Sequence, residues 1–136
     1  MDLEVLKIAS NTKNHKVLSN RTHFSKLKNP ICGDEMDISL KIIGKKIKDF
    51  GYQCKSCIYC QASVSLLSRK VKNKSVNSII ELLNIVNTFF VNKNLKFPKR
   101  WSIFTKLFNE KNLSRKECIL LPFETLSKAL KHYQNE

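Results

Sequence analysis

The cysteines of this chain constrain its fold more than any other feature. One lies in Asn29-Pro30-Ile31-Cys32-Gly33-Asp34, three follow at Cys54, Cys57 and Cys60, and Cys118 stands before an apolar run near the C-terminus. Thiolates from segments so far apart, with the Asp34 carboxylate two residues from the first of them, suggest one metal or cluster site. Such a site must be gathered from across the whole fold.

The chain has 136 residues, one domain's worth, and is read as a single domain over 1–136. Hydrophobic residues make up 42%, enough for one modest core, small enough that a bound metal contributes to stability. No apolar run approaches about 18 residues, so no membrane span is expected. Met1-Asp2-Leu3-Glu4 lacks a basic stretch followed by an apolar one, so no signal peptide and a cytoplasmic location are expected. In a reducing cytosol five cysteines favour metal or sulfur chemistry over disulfides. The net charge of +14, from 25 Lys and Arg against 11 Asp and Glu, raises an acidic partner or nucleic acid. The lysines are spread from Lys7 to Lys131, with no dense basic run interleaved with aromatics. Specific nucleic-acid binding is therefore not expected.

Residues 2–9 predict a short helix with Leu3, Val5, Leu6 and Ile8 as apolar anchors. Residues 10–30 read as polar and irregular. Met36, Ile38, Leu40 and Ile42 alternate on one face of a half-buried strand. Ile43-Gly44-Lys45-Lys46 reads as a turn, and residues 47–52 as the returning antiparallel strand. Then the period changes. Residues 58–71 lack Gly and Pro and predict a helix with Ala62, Leu66 and Val71 on one face. Cys57 falls at its start, where free amides and the positive helix end favour a thiolate. Ser75 reads as the N-cap of a helix over about 76–91 with Ile79, Ile80, Leu82, Leu83, Val86, Phe89 and Phe90 inward. Residues 92–100 read as a basic loop and 101–109 as a short helix. A last helix spans about 122–132 with Pro122 in its first turn.

Three segments resemble the motifs of a known family in order. Asn29-Pro30-Ile31-Cys32-Gly33-Asp34 resembles the first metal motif of the iron–sulfur scaffold family related to the N-terminal domain of the nitrogen-fixation scaffold. The run from Cys57 to Ser65, with Gln61-Ala62-Ser63 near the helix start, resembles the second. Arg115-Lys116-Glu117-Cys118, followed by Ile119-Leu120-Leu121-Pro122-Phe123, resembles the third. The likeness runs from about residue 2 to residue 132. It implies an α+β domain, a small antiparallel β-sheet packed against several helices. It implies the ligands Cys32, Asp34, Cys57 and Cys118 and a role in iron–sulfur cluster assembly. The cargo would be a transient iron–sulfur cluster or iron. The partners would be a cysteine desulfurase and apo iron–sulfur acceptor proteins. Housekeeping scaffolds of the family carry a His immediately before the third Cys and a shorter gap. This chain has Glu117 there and an insert near 92–112. In that respect it is similar to the Gram-positive branch, which binds zinc and resembles a sulfur acceptor as much as a scaffold. The acceptor would be Cys118. No phosphate-binding loop or small-molecule turnover site is evident, so the chain is not read as an enzyme.

By residue chemistry alone, three thiolates and a carboxylate form a tetrahedral set suited to zinc or a labile cluster. Asp34, a harder donor than thiolate, would loosen such a site, and Gly33 permits a sharp turn beside Cys32. The plainer alternative has Asp34 capping a turn and Cys32 buried. Cys54-x-x-Cys57-x-x-Cys60 imitates a bacterial ferredoxin run without its fourth Cys followed by Pro. Cys60 reads as a buried packing residue. Cys54-Lys55-Ser56-Cys57 mimics a redox pair without the βαβ context that chemistry uses. His15, His23 and His132 have no ligand spacing and read as structural or solvated. Phe50 and Tyr52 read as core or a hydrophobic lid over the site, Trp101 as core or partner surface, Lys99-Arg100 as a solvated loop rather than a docking patch, and Arg115 as a group stabilising a thiolate or pairing at the surface. The second functional reading is a zinc-stabilised basic module gripping nucleic acid or an acidic protein.

Overall fold

A computed structural model describes residues 2–92 and 96–134, excepting the side chain of Gln134. The order is α1 (Leu3–Ala9), β1 (His23–Lys28), β2 (Glu35–Ile43), β3 (Lys46–Lys55), α2 (Ile58–Val71) and α3 (Val76–Phe89). Two 3₁₀ segments, Lys99–Lys106 and Glu110–Arg115, lead into α4 (Lys116–Gln134). The sheet is antiparallel in the order β1-β2-β3, so the class is α+β, a small antiparallel sheet against several helices. No described helix is long and apolar enough to cross a membrane.

The hairpin forms where the alternation predicts it. Met36, Ile38, Leu40 and Ile42 are all buried, and Met36, Ile38 and Leu40 pair with Cys54, Tyr52 and Phe50. Gly44 supplies the left-handed turn at φ +63°. Phe50 and Tyr52 are core residues. In α1 the Asp2 carboxylate accepts from the Glu4 and Val5 amides, capping a helix that buries Val5, Ile8 and Ala9. Of the four anchors expected there, Leu3 and Leu6 face solvent, because the face meeting α2 follows the Val5, Ile8, Ala9 spacing.

The segment read as irregular contains β1, which pairs with β2 from His23↔Leu40 to Lys28↔Glu35. Its fully buried positions are His23 and Ser25, not aliphatic residues, so the hydrophobic alternation that marks a strand is missing. Ser25 Oγ donates to the Thr125 carbonyl at 2.5 Å, fastening this strand to α4.

The free edge of β3 is also covered. Near its start, Ile47 N–H donates to Lys74 C=O (2.9 Å) and Ile47 C=O accepts from Asn73 N–H (2.7 Å). Further on, Tyr52 N–H donates to Asn14 C=O (3.1 Å). The same N-terminal segment sends Leu18 N–H to Ser39 Oγ (3.2 Å) and lays the Lys16 carbonyl over Gly51.

Helix α2 spans the predicted residues and buries Ala62, Leu66 and Val71. Ser63, Ser65 and Ser68 are buried too, each with a partner: Ser63 Oγ donates to Ile119 C=O (2.6 Å), Ser65 Oγ to Asn11 C=O (2.7 Å) and Ser68 Oγ to Ser65 C=O (2.8 Å). Small side chains let α1 and α4 approach closely while the hydroxyls find acceptors. Ser75 caps α3 through Ser78 N–H at 3.1 Å. Ile79, Leu82, Leu83 and Val86 are buried there, while Ile80, Phe89 and Phe90 pack half-buried against the core.

The expected short helix over 101–109 is the 3₁₀ segment Lys99–Lys106, and residues 93–95 of the expected loop lie outside the described residues. The insert builds an aromatic cluster. Phe97 and Phe108 rings lie 5.4 Å apart, Phe104 and Phe123 5.6 Å, and Phe108 and Phe123 5.3 Å. Trp101 belongs to this core. Arg100 pairs with Glu81 and lies 5.5 Å from the Trp101 ring. The last helix begins earlier than the proline suggests, at Lys116, and Pro122 lies inside it. Ile119, Leu121 and Phe123 are buried around the proline, and that packing offsets the one helical hydrogen bond proline cannot make.

Candidate metal centre

The β1–β2 connection is organised around one side chain. Asn29 Oδ1 accepts from Ile31 N–H (2.8 Å) and Cys32 N–H (3.2 Å). The Asn29 backbone closes the loop, accepting from Gly33 N–H and donating to Asp34 C=O, both at 2.8 Å. Gly33 sits at φ +77°, left-handed as its position between Cys32 and Asp34 requires. The result leaves Cys32 exposed and Asp34 buried at the loop's inner side. Asn29 was not among the expected site residues. Its signal was an Asn immediately before Pro, a setting in which the side chain caps a turn.

Cys57 is the N-cap residue of α2, in extended conformation, with no side-chain capping bond. Its N–H donates to Asp34 Oδ2 at 3.4 Å, so the first loop's carboxylate meets the positive end of α2. Cys118 lies in the first turn of α4 and is 8% exposed.

Cys32 Sγ, an Asp34 carboxylate oxygen and Cys118 Sγ all lie within 4.8 Å of one another. This is the one such group of three or more His, Cys, Asp or Glu side chains among the described residues. Cys57 stands outside that group and reaches it through its amide, which donates to the Asp34 carboxylate. Burial pushes the Cys118 thiol up, and the neighbouring Cys57, Asp34 and Cys32 push the same way. Every neighbour raises the proton affinity, so a cation is the natural replacement for that proton. A zinc–sulfur bond of about 2.3 Å places tetrahedral donors about 3.8 Å apart, so donors within 4.8 Å need only small side-chain turns to close on one ion. The donor set fits zinc, iron or a labile cluster.

The remaining cysteines serve other places. Cys60 is fully buried, and burial pushes its thiol up, reinforced by the charges of Cys54, Asp34 and Cys57. Cys54 is half-buried at the end of β3, its thiol also raised, first by burial. The Cys54, Cys57, Cys60 run is split between a strand end, a helix cap and a helix interior. The sheet holding Cys54 is antiparallel, unlike the parallel βαβ setting of a redox pair. Arg115 lies 5.2 Å over the Tyr59 ring, a cation–π contact. His15 rests against Tyr52 (5.1 Å), His23 is buried against Tyr133 (5.8 Å), and His132 is exposed.

The iron-sulfur cluster assembly scaffold protein IscU of Thermotoga maritima is 29% identical over 128 residues, covering 93% of this chain and 89% of its own. The zinc-dependent sulfurtransferase SufU of Bacillus subtilis is 25% identical over 83 residues, covering 61% of this chain and 56% of its own. The expectation that the chain is no enzyme thus meets one relative named for sulfur transfer. Among solved structures, a NifU-like protein (N-terminal) from Brucella abortus shares the fold with a TM-score of 0.88 at 18% identity, covering 99% of this chain and 94% of that one. A putative scaffold protein for the SUF system from Fervidobacterium islandicum does so with a TM-score of 0.84 at 23% identity, covering 96% of each. The model of the NifU-like N terminal domain matches residues 2–136, so the chain belongs to the NifU-like N-terminal domain family.

Proposed function

We propose that this chain works in iron–sulfur cluster assembly with Cys32, Asp34, Cys57 and Cys118 as its ligand set. It holds a nascent cluster, or the iron for one, as cargo, or it accepts sulfur from a cysteine desulfurase at the same site. The observation that carries the reading is the meeting of Cys32, Asp34 and Cys118 within 4.8 Å in a member of this family. Cys57, whose amide donates to Asp34, is the proposed fourth ligand. Three thiolates suit a soft centre, while Asp34 is the exchangeable position through which cargo leaves. Zinc bound in the resting protein would supply the charge that keeps these thiols deprotonated.

Cys118 is the proposed sulfur acceptor. Its thiolate attacks the outer sulfur of a persulfide on the donor. The donor's S–S bond breaks, a new S–S bond forms on Cys118, and the donor cysteine leaves as a thiolate. Buried in the first turn of α4, Cys118 must turn outward to meet the donor. Apo iron–sulfur proteins are the proposed recipients.

Anaerobic reconstitution with iron and sulfide, read by visible absorption and metal analysis, tests this. Wild type is expected to take up a cluster, or to hold about one zinc per chain. Asp34→Ala is expected to retain its cluster longer and pass it to an apo acceptor more slowly, because the exchangeable oxygen ligand is gone. A wild-type protein that holds neither cluster nor zinc sinks the proposal.

A further inference from the structure

We propose that Asn29 is the positioning residue of this centre, aiming Cys32 and Asp34 through its side-chain oxygen. The role rests on the ligand set proposed above. Asn29 is 8% exposed, and one oxygen gathers two consecutive amides, those of Ile31 and Cys32. Two successive N–H groups turned toward one acceptor force the chain into a tight arc. Ile31 is thrown outward, 77% exposed, and Cys32 is carried round to meet Asp34 and Cys118. The same residue's backbone ties Gly33 and Asp34, so the whole turn hangs on one position. Without the oxygen, the two amides lose their acceptor and the arc relaxes. The thiol and carboxylate then spread over many arrangements, and metal affinity falls through lost preorganisation rather than a lost ligand. Both bonds are accepted by oxygen, so aspartate keeps them where alanine does not.

Full-length wild type, Asn29→Ala and Asn29→Asp, titrated anaerobically with zinc against a competing chelator, test the role, with circular dichroism reporting the fold. Asn29→Ala is expected to bind zinc about 10-fold or more weakly with its secondary structure kept. Asn29→Asp is expected to restore binding to near the wild-type level. Hydrogen exchange at Ile31 and Cys32 should be slow in wild type and Asn29→Asp and fast in Asn29→Ala. If wild type binds zinc and folded Asn29→Ala binds it equally well, or Asn29→Asp is as weak as Asn29→Ala, this role alone is overturned. If wild type takes up a reconstituted cluster but no zinc, cluster retention by the three proteins decides the role in the same way; if it holds neither, the ligand set falls and the role falls with it.

Independently, the geometry points to Pro122 as the residue that keeps Cys118 movable. In a continuous helix the amide of residue 122 would donate to the Cys118 carbonyl. Proline has no N–H, so the turn carrying Cys118 lacks that clamp although α4 runs on through it. Just beyond, Ile119 C=O is held from the side by Ser63 Oγ at 2.6 Å, a fixed point about which the first turn can swing. Pro122→Ala adds the missing donor. It is expected to raise the thermal midpoint, to slow exchange of the amides from Glu117 to Leu121, and to slow zinc release to a chelator several-fold. A variant with exchange over Glu117–Leu121 and zinc release both unchanged overturns the role. Exchange in the metal-free protein tests the hinge even where zinc binding fails.

Discussion

Stripping metal from the wild-type protein with a chelator is expected to lower its thermal midpoint by about 12–20 °C. A ligand that binds only the folded state at about 1,000 times its Kd adds about 4 kcal/mol, and about 1 kcal/mol moves the midpoint of a domain this size by roughly 3–5 °C. Cys118→Ser is expected to abolish most of that metal-dependent increment while leaving the metal-free protein close to wild type, since the side chain keeps its size. Cys54→Ser should retain the increment, because Cys54, half-buried at the end of β3, lies outside the proposed ligand set. The increment should also shrink as pH falls. Binding requires thiolates, and the raised proton affinity of Cys118 makes protons stronger competitors there. Differential scanning fluorimetry with and without chelator reads all of this. A chelator-insensitive wild type, or a Cys54→Ser variant that loses the increment while Cys118→Ser keeps it, contradicts the ligand set.

Gly51→Ala is expected to destabilise the metal-free protein by about 3 kcal/mol or more. A Cβ at Gly51 would stand 2.5 Å from the Lys16 carbonyl oxygen, 3.0 Å from Ser39 Oγ and 3.2 Å from Leu18 Cγ. The nearest obstacle is backbone, part of the segment that covers β3, so the alternatives are a clash or detachment of that cover. Gly33 and Gly44 provide the contrast. A Cβ meets nothing within 4 Å at either, and only their positive φ opposes substitution, a cost of about 1 kcal/mol. Urea unfolding of the three alanine variants should therefore rank Gly51→Ala well below the other two. Equal losses at all three would mean that the N-terminal segment does not lie on β3 as described.

Much of this was legible because local chemistry decided it. The alternation from Met36 to Ile42 and the Gly44 turn specify a hairpin wherever it packs. The Gly- and Pro-free run after Cys57 specifies α2, and Ser75 marks the start of α3. β1 was hidden because its inward positions, His23 and Ser25, are polar and stabilised by α4 and by strand pairing, which no local pattern announces. The start of α4 was hidden because Pro122 reads locally as a helix start. Only the burial of Ile119, Leu121 and Phe123 carries the helix through it.

The same division runs through the candidate site. By itself the sequence nominated the donors proposed here, since Cys32, Asp34, Cys57 and Cys118 are chemical identities set in motifs, and it determined that Cys57 opens a helix. Tertiary structure alone decided that Cys32, Asp34 and Cys118 stand within 4.8 Å of one another, that Cys60 is walled off in the core, and that Arg115 faces Tyr59. It also gave Asn29 its hold on the loop and Ser63 its grip on the turn after Cys118. The physical reason is range: a side chain's donor atoms and its helix or strand preference are properties of a few adjacent residues. Which thiols share a cation depends on how a loop, a helix cap and the first turn of another helix pack together, and that is settled only when the core between them closes.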